Sequence, residues 1–131
     1  MKPVSLEIRT TAAAAWHILI DTEAWPHWGP SVRAVRAPAR YISPGMSGQI
    51  QTPPGLWLPF RITAWQDGRF WAWRVAGISA TGHQVIPLGA GHCRVSFLVP
   101  SWAPLYRSVC ETALRRIAAQ ATLAKGPPRQ R

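Results

Sequence analysis

Acids, bases and nucleophiles are few in this 131-residue chain: four His, two Cys and five carboxylates. Most of the carboxylates have structural readings. Asp21 follows an apolar helical segment and caps the next turn, Asp67 precedes Gly68 in a hairpin turn, and Glu111 stands at ion-pair spacing from Arg107 and Arg115. No pair is left for two-carboxylate acid–base work. His92 and Cys93 are adjacent, so in a strand they face opposite sides and form no nucleophile–base couple. Cys93 and Cys110 make no CxxC, His17 and His27 have no partner at ligand spacing, and HExxH, GxSxG and Gly-rich phosphate loops are missing. Neither a metal nor a cofactor is expected. What remains is His83, which shares strand parity with Val85 and so falls on an apolar face. A buried imidazole there would hydrogen-bond a ligand, move a proton near neutral pH, or simply be a satisfied core group. Tyr106, leaning to the inner stripe of the last helix, is the second polar candidate, whereas Cys110 on that stripe reads as core.

These residues need elements to hold them. Val4, Leu6 and Ile8 alternate with polar neighbours and predict a first strand over 2–9. Thr10 and Thr11 offer an N-cap to an apolar helix over 12–20, and a second short helical turn follows over 23–28 before Gly29-Pro30. Short strands are then predicted over 32–36, 48–52, 56–65, 69–75, 78–87 and 93–99, with turn residues between them, Asp67-Gly68 the strongest. Such short connections imply an antiparallel meander. Pro104 opens a long helix to about Leu123, with Leu105, Val109, Ala113, Ile117 and Ala121 on one stripe widened by Tyr106, Cys110 and Leu114.

Strand alternation sets the faces. Leu56, Leu58, Phe60 and Ile62 share one side, with Arg61, Thr63 and Trp65 on the other. Trp71, Trp73 and Val75 lie opposite Phe70 and Arg74, and Cys93, Val95, Phe97 and Val99 form a further inward set. The long helix is the available cover for the apolar face, and a sheet that bends away from it leaves a gap. The loops around Met46 and over 79–82 would frame its mouth.

Composition narrows the class. At 47% hydrophobic residues the chain builds a core without staples, and its length is that of one domain, taken as 1–124 with a flexible basic tail over 125–131. Two unpaired cysteines, no secretory apolar run and no stretch of membrane-spanning length lead to the expectation of a soluble, cytoplasmic protein. The formal charge of +10 would suit a polyanion, but the thirteen Arg are scattered singly rather than run into a stripe.

Ala15-Trp16, Ile20-Asp21 and Trp25-Pro26-His27-Trp28-Gly29-Pro30, followed by Pro44-Gly45-Met46-Ser47-Gly48, are similar to the opening and first turn of polyketide cyclase/dehydrase-like proteins. Arg61 to Trp65 with Phe70 to Trp73 resembles the strand pair that follows, and Gly82-His83 and Cys93-Arg94-Val95 sit where that group has its next motifs. Over roughly residues 3–123 the chain thus resembles the START/Bet v 1-like (SRPBCC) superfamily. That resemblance implies an α+β helix-grip fold, a curved antiparallel sheet wrapped around a long C-terminal helix, with two short helices after strand 1. It also implies a deep apolar cavity. It implies no single activity, since relatives include lipid carriers, hormone receptors and aromatase/cyclases.

The reading that follows is binding of a hydrophobic or aromatic small molecule, lipid-, polyketide- or isoprenoid-like, in an internal cavity. Its expected lining is Leu58, Phe60, Ile62, Trp71, Trp73, His83, Val85, Val95, Phe97, Tyr106, Val109 and Cys110. The alternative is a cyclase/dehydratase acting in the same cavity, with His83 and Tyr106 moving the proton. A second alternative is a basic surface binder of nucleic acid or anionic membrane. No dedicated nucleic-acid motif is found, peripheral membrane contact stays open, and so does the choice of monomer or homodimer.

Overall fold

The computed structural model describes residues 2–125. Apart from the helical backbone at Lys125, the expected tail lies outside them. In chain order the elements are β1 (Lys2–Ile8), α1 (Ala12–Ile20), α2 (Trp25–Trp28), β2 (Ala34–Arg36), β3 (Ser47–Thr52), β4 (Leu56–Gln66), β5 (Phe70–Val75), β6 (Ile78–Gly89), β7 (His92–Val99), a 3-10 turn (Pro104–Tyr106) and α3 (Arg107–Lys125). All seven strands join one antiparallel sheet in the order β1-β7-β6-β5-β4-β3-β2. This is the helix-grip architecture that the resemblance implies.

Local chemistry accounts for the pieces. Thr11 caps α1, its hydroxyl accepting the Ala14 N–H at 3.0 Å. The far end of that helix is closed by Trp25, whose indole N–H donates to the Leu19 carbonyl at 2.9 Å. Helix α2 is shorter than expected, because the Asp21 carboxylate accepts the Glu23 N–H at 3.0 Å and holds a non-helical turn first. Arg40 then grips both oxygens of Asp21 at 3.0 Å, a bidentate pair between segments 19 residues apart.

Three register shifts bend the sheet: between Ile62 and Ala64, Ala72 and Arg74, and Pro87 and Gly89. The first corrects the parity of β4. Trp65, expected to face outward, returns to the inner side, where its ring meets Trp16 edge-on at 5.4 Å. Leu56 is a second correction. As the first residue of β4 after the Pro53-Pro54-Gly55 turn, it stands 61% exposed rather than on the apolar face. At Gly48 a Cβ would lie 2.6 Å from the Arg36 carbonyl and 2.8 Å from the Phe60 ring, so only glycine fits there.

On the concave side α3 packs against β1, β7 and both short helices, burying Cys110, Ala113, Leu114, Ile117 and Ala121 at three- and four-residue spacing. Each large apolar side chain buried this way contributes about 1.5–3 kcal/mol. Leu105 departs from the expected stripe and is 90% exposed, because Pro104–Tyr106 winds as a 3-10 turn and the α-helix begins only at Arg107. Among the described residues no helix is long and apolar enough to cross a membrane.

Candidate functional site

The β5–β6 register sets Trp71 directly opposite His83, and the β6–β7 register sets His83 opposite Phe97. Three aromatic residues therefore share one row on the inner face. Trp71 and His83 are stacked, with centroids 3.8 Å apart and planes 21° apart, and Trp25 of α2 also stacks with Trp71 at 5.6 Å and 13°. Around the imidazole stand the edges of Phe97 at 4.9 Å, Trp73 at 6.0 Å and Trp28 at 6.5 Å. The α2 spacing of Trp25 and Trp28 puts both rings into this cluster.

His83 is buried, and both of its nitrogens are occupied. Nδ1 lies 3.3 Å from the Trp71 carbonyl, which only accepts, so Nδ1 carries the proton. Nε2 then accepts from the Thr81 hydroxyl at 2.9 Å, and the Thr81 oxygen accepts from Trp73 Nε1–H at 3.2 Å. The chain of donors runs in one direction from Trp73 to Thr81 to His83 to the backbone. Burial pulls the imidazole pKa down to about 3, against a smaller opposing contribution from the Trp71 carbonyl. His83 is thus a neutral, fully engaged ring, and not a group poised to exchange protons near pH 7. The other candidates shift away from neutrality as well. Burial raises the Tyr106 phenol, even though its hydrogen bond to Ser31 at 2.5 Å works the other way. Burial also raises Cys93, and lifts Cys110 to about 11, so both thiols stay protonated.

Two spaces with a shared wall adjoin the cluster. The inner one, about 30 Å³, lies between Trp25, Trp28, Trp71, His83, Phe97 and the α3 residues Val109, Cys110 and Ala113. That volume exceeds the roughly 10–15 Å³ that a single water needs. The outer one is an apolar groove of about 240 Å³, walled by Ile50, Val75, Ala80, Pro100, Trp102 and Ala103. Ser31, Val32, Trp73, Thr81 and Tyr106 border both, so the Ser31–Tyr106 hydrogen bond stands at the boundary. Among the described residues, neither lining includes Asp, Glu, Lys or Arg.

Of the expected lining, Trp71, Trp73, His83, Phe97, Tyr106, Val109 and Cys110 border the inner space. Leu58, Phe60, Ile62, Val85 and Val95 border neither space. Phe60, Ile62, Val85 and Val95 are buried in the packed core, and half-buried Leu58 packs against it. The deep cavity is corrected to a small void, because the rings of Trp25, Trp28, Trp71, Trp73 and Phe97 fill the grip. The expected mouth moves too: Met46 is buried, and residues 79–82 belong to strand β6, from which Ala80 and Thr81 face the groove. Ser31, Thr81, Trp25 and Trp28 were not among the expected lining; the two Trp entered only as part of the Trp25–Pro30 motif, though their i, i+3 spacing is a signal that they share a helical face.

Two polar atoms of the cluster have no partner. The indole N–H groups of Trp28 and Trp71 are buried and unbonded, and both rings border the inner space.

Comparison with known proteins supports the architecture. The family model described as polyketide cyclase/dehydrase and lipid transport matches residues 4–124. No curated protein matches the chain. The Zhui aromatase/cyclase from Streptomyces sp. R1128 superposes with a TM-score of 0.72 at 10% identity, over 96% of this chain and 98% of that one. The di-domain ARO/CYC BexL of the BE-7585A biosynthetic pathway gives 0.73 at 13% identity, over 97% of this chain and 48% of BexL. Norcoclaurine synthase from Thalictrum flavum, in complex with dopamine and hydroxybenzaldehyde, gives 0.62 at 10% identity, over 98% and 88%. At such identities the likeness is one of fold.

Proposed function

Because the chain belongs to the polyketide cyclase/dehydrase and lipid transport family, we propose that it binds a neutral, apolar or aromatic small molecule at the mouth of its helix grip. The observation that carries this reading is the apolar groove of about 240 Å³, whose lining holds no charged side chain among the described residues and shares Trp73 with the aromatic cluster behind it. That size lies below the usual range for drug-sized ligands, and so favours a body of one or two fused rings over a long-chain lipid. Norcoclaurine synthase, with the same fold, holds one-ring aromatic compounds.

The chemistry-bearing groups favour holding a ligand over turning it over. Ordinary acid–base catalysis calls for a group whose pKa lies near the working pH, and burial moves His83, Tyr106 and Cys110 away from it. Among the described residues, no carboxylate borders either space.

The test is titration with N-phenyl-1-naphthylamine, a neutral dye that brightens in apolar surroundings. Saturable uptake of about one dye per chain, displaced by unlabelled naphthalene, is the expected result. A linear, unsaturable rise would overturn the reading.

A further inference from the structure

Exposed large apolar side chains scattered singly mean little, but several gathered in one place mark a contact surface. Among the described residues, Leu56, Ile78, Trp102 and Leu105 are the large apolar side chains that stand more than half exposed. All four fall at one end of the sheet. In its antiparallel order, β3 ends at the turn before Leu56, β5 ends at the turn before Ile78, and β7 ends at the loop that carries Trp102 and Leu105. Thr52, Val75 and Trp102, from the same three places, wall the outer groove, so the four apolar side chains stand around its rim. The Trp102 indole N–H donates to the Ser79 carbonyl at 3.0 Å and ties its loop to the start of β6.

Charge is sorted along the same axis. Arg33 donates to the Pro54 carbonyl at 3.2 Å and Arg74 to the Gly77 carbonyl at 3.1 Å, which holds two guanidinium groups at the turns of this end. Arg107 opens α3 here, 3.8 Å from Glu111. The other four carboxylates lie at the opposite end. Asp67 is in the β4–β5 turn, Glu7 meets His92 and Arg94 where β1 ends and β7 begins, and Asp21 and Glu23 hold Arg40 of the segment between β2 and β3. We infer that the groove end docks on an anionic lipid bilayer, with Leu56, Ile78, Trp102 and Leu105 entering the headgroup region and Arg33 and Arg74 meeting lipid phosphates. A second copy of the chain fits this end poorly, because it would bring the same cations against themselves. The inference adds a partner to the binding reading and does not depend on which ligand the groove takes.

The experiment floats the full chain with vesicles of phosphatidylcholine and phosphatidylglycerol in equal parts, and with vesicles of phosphatidylcholine alone. Binding to the anionic vesicles roughly tenfold stronger than to the neutral ones, and weakened by added salt, is the expected result. Leu105→Ser combined with Ile78→Ser should cut that binding about tenfold, and Leu56→Ser, on a separate turn, several-fold. None of these three residues lines either space, so the variants should keep wild-type dye uptake. Leu88→Ser, at the far end of β6, should float like the wild type. Absence of flotation with the anionic vesicles, or equal flotation with the neutral ones, overturns the inference. So does flotation that the apolar variants leave unchanged, since charge alone would then account for it. A dimer in sedimentation velocity that the double variant abolishes, with no flotation, assigns this end to a second copy and overturns the membrane contact. Dye titration is run without vesicles, so a failure of groove binding and a failure of membrane docking are read apart.

Discussion

His83 lies flat on the ring of Trp71, 3.8 Å between centroids, and donates from Nδ1 to the carbonyl of that same residue. One residue of β5 thus supplies the histidine with both a face and an acceptor. The price of this placement falls on the charged form. In the folded protein the imidazole pKa is down to about 3, whereas the unfolded chain returns it to about 6.5.

Between those two values the unfolded chain binds a proton that the folded protein does not, so stability rises with pH there. The His83 contribution is fully present above about pH 6.5, is lost progressively as pH falls toward 3, and changes no further below that. A loss of a few kcal/mol at most is expected across this window. Urea unfolding followed at pH 7, 5.5 and 4 should show it, and His83→Phe should flatten the dependence. A wild-type profile level from pH 7 to 4 would contradict the neutral, buried assignment.

Asp21 produces a second acid limit, lower on the pH scale. Burial works to raise its carboxyl, but the Arg40 hydrogen bonds, the Glu23 N–H and the charges of Arg40 and His17 outweigh it and hold the pKa below 3.8. The stability it brings is therefore present above the ordinary carboxylate value and disappears as pH falls through the lowered one. Asp21→Asn should lower the melting temperature at pH 7, and the gap to wild type should close as pH falls through that range. A gap of the same size at every pH would mean that packing, and not the ion pair, is what the aspartate supplies.

Thr81→Val tests the directed hydrogen-bond chain. The swap keeps the shape but strips Trp73 Nε1–H of its acceptor and His83 Nε2 of its donor. The buried His83 nitrogen left unsatisfied should cost about 1–3 kcal/mol, and the half-buried Trp73 N–H less. Thr63→Val, at an exposed position of β4, should be nearly neutral by the same denaturant titration. If both variants cost the same small amount, the chain does not stabilise the fold.

Sequence patterning reached most of the fold because alternation and turn residues act locally. It placed His83 correctly since β6 is regular from Gly82 to Pro87, and it failed at Trp65 because the irregularity after Ile62 adds a residue that no local signal announces. Leu105 satisfied the helical stripe on paper, yet the 3-10 turn gives its position a different period. The site was harder. Whether aromatic rings line a cavity or fill it depends on how Trp25 and Trp28, arriving from α2, meet Trp71 and Trp73 across the grip. That meeting joins segments more than forty residues apart, which residue spacing does not encode.

Gly48 offers a sharp packing test, because its missing side chain is filled by its neighbours. A Cβ would sit 2.6 Å from a backbone carbonyl that cannot turn away and 2.8 Å from the Phe60 ring, whose own position is locked in the core beside Trp25. Gly48→Ala should therefore destabilise by about 1–3 kcal/mol, through displacement of β2 or Phe60. Gly89→Ala meets nothing within 4 Å and serves as the control, with an expected change under about 0.5 kcal/mol. Equal effects would show that the β2–β3–β4 corner is loose enough to absorb a methyl group.

The Ser31–Tyr106 pair predicts how far a ligand gets in. Its 2.5 Å hydrogen bond ties the segment after α2 to the 3-10 turn before α3, at the boundary between groove and void. Tyr106→Phe keeps the ring and its packing but removes the tie, and the Ser31 hydroxyl, only part-buried, can turn to water instead. Stability should change by about 1 kcal/mol or less. N-phenyl-1-naphthylamine is too large for a space of about 30 Å³ and has its place in the outer groove, so its stopped-flow uptake should keep the wild-type rate. A several-fold faster uptake in the variant would show that the dye passes the boundary that the tyrosine holds.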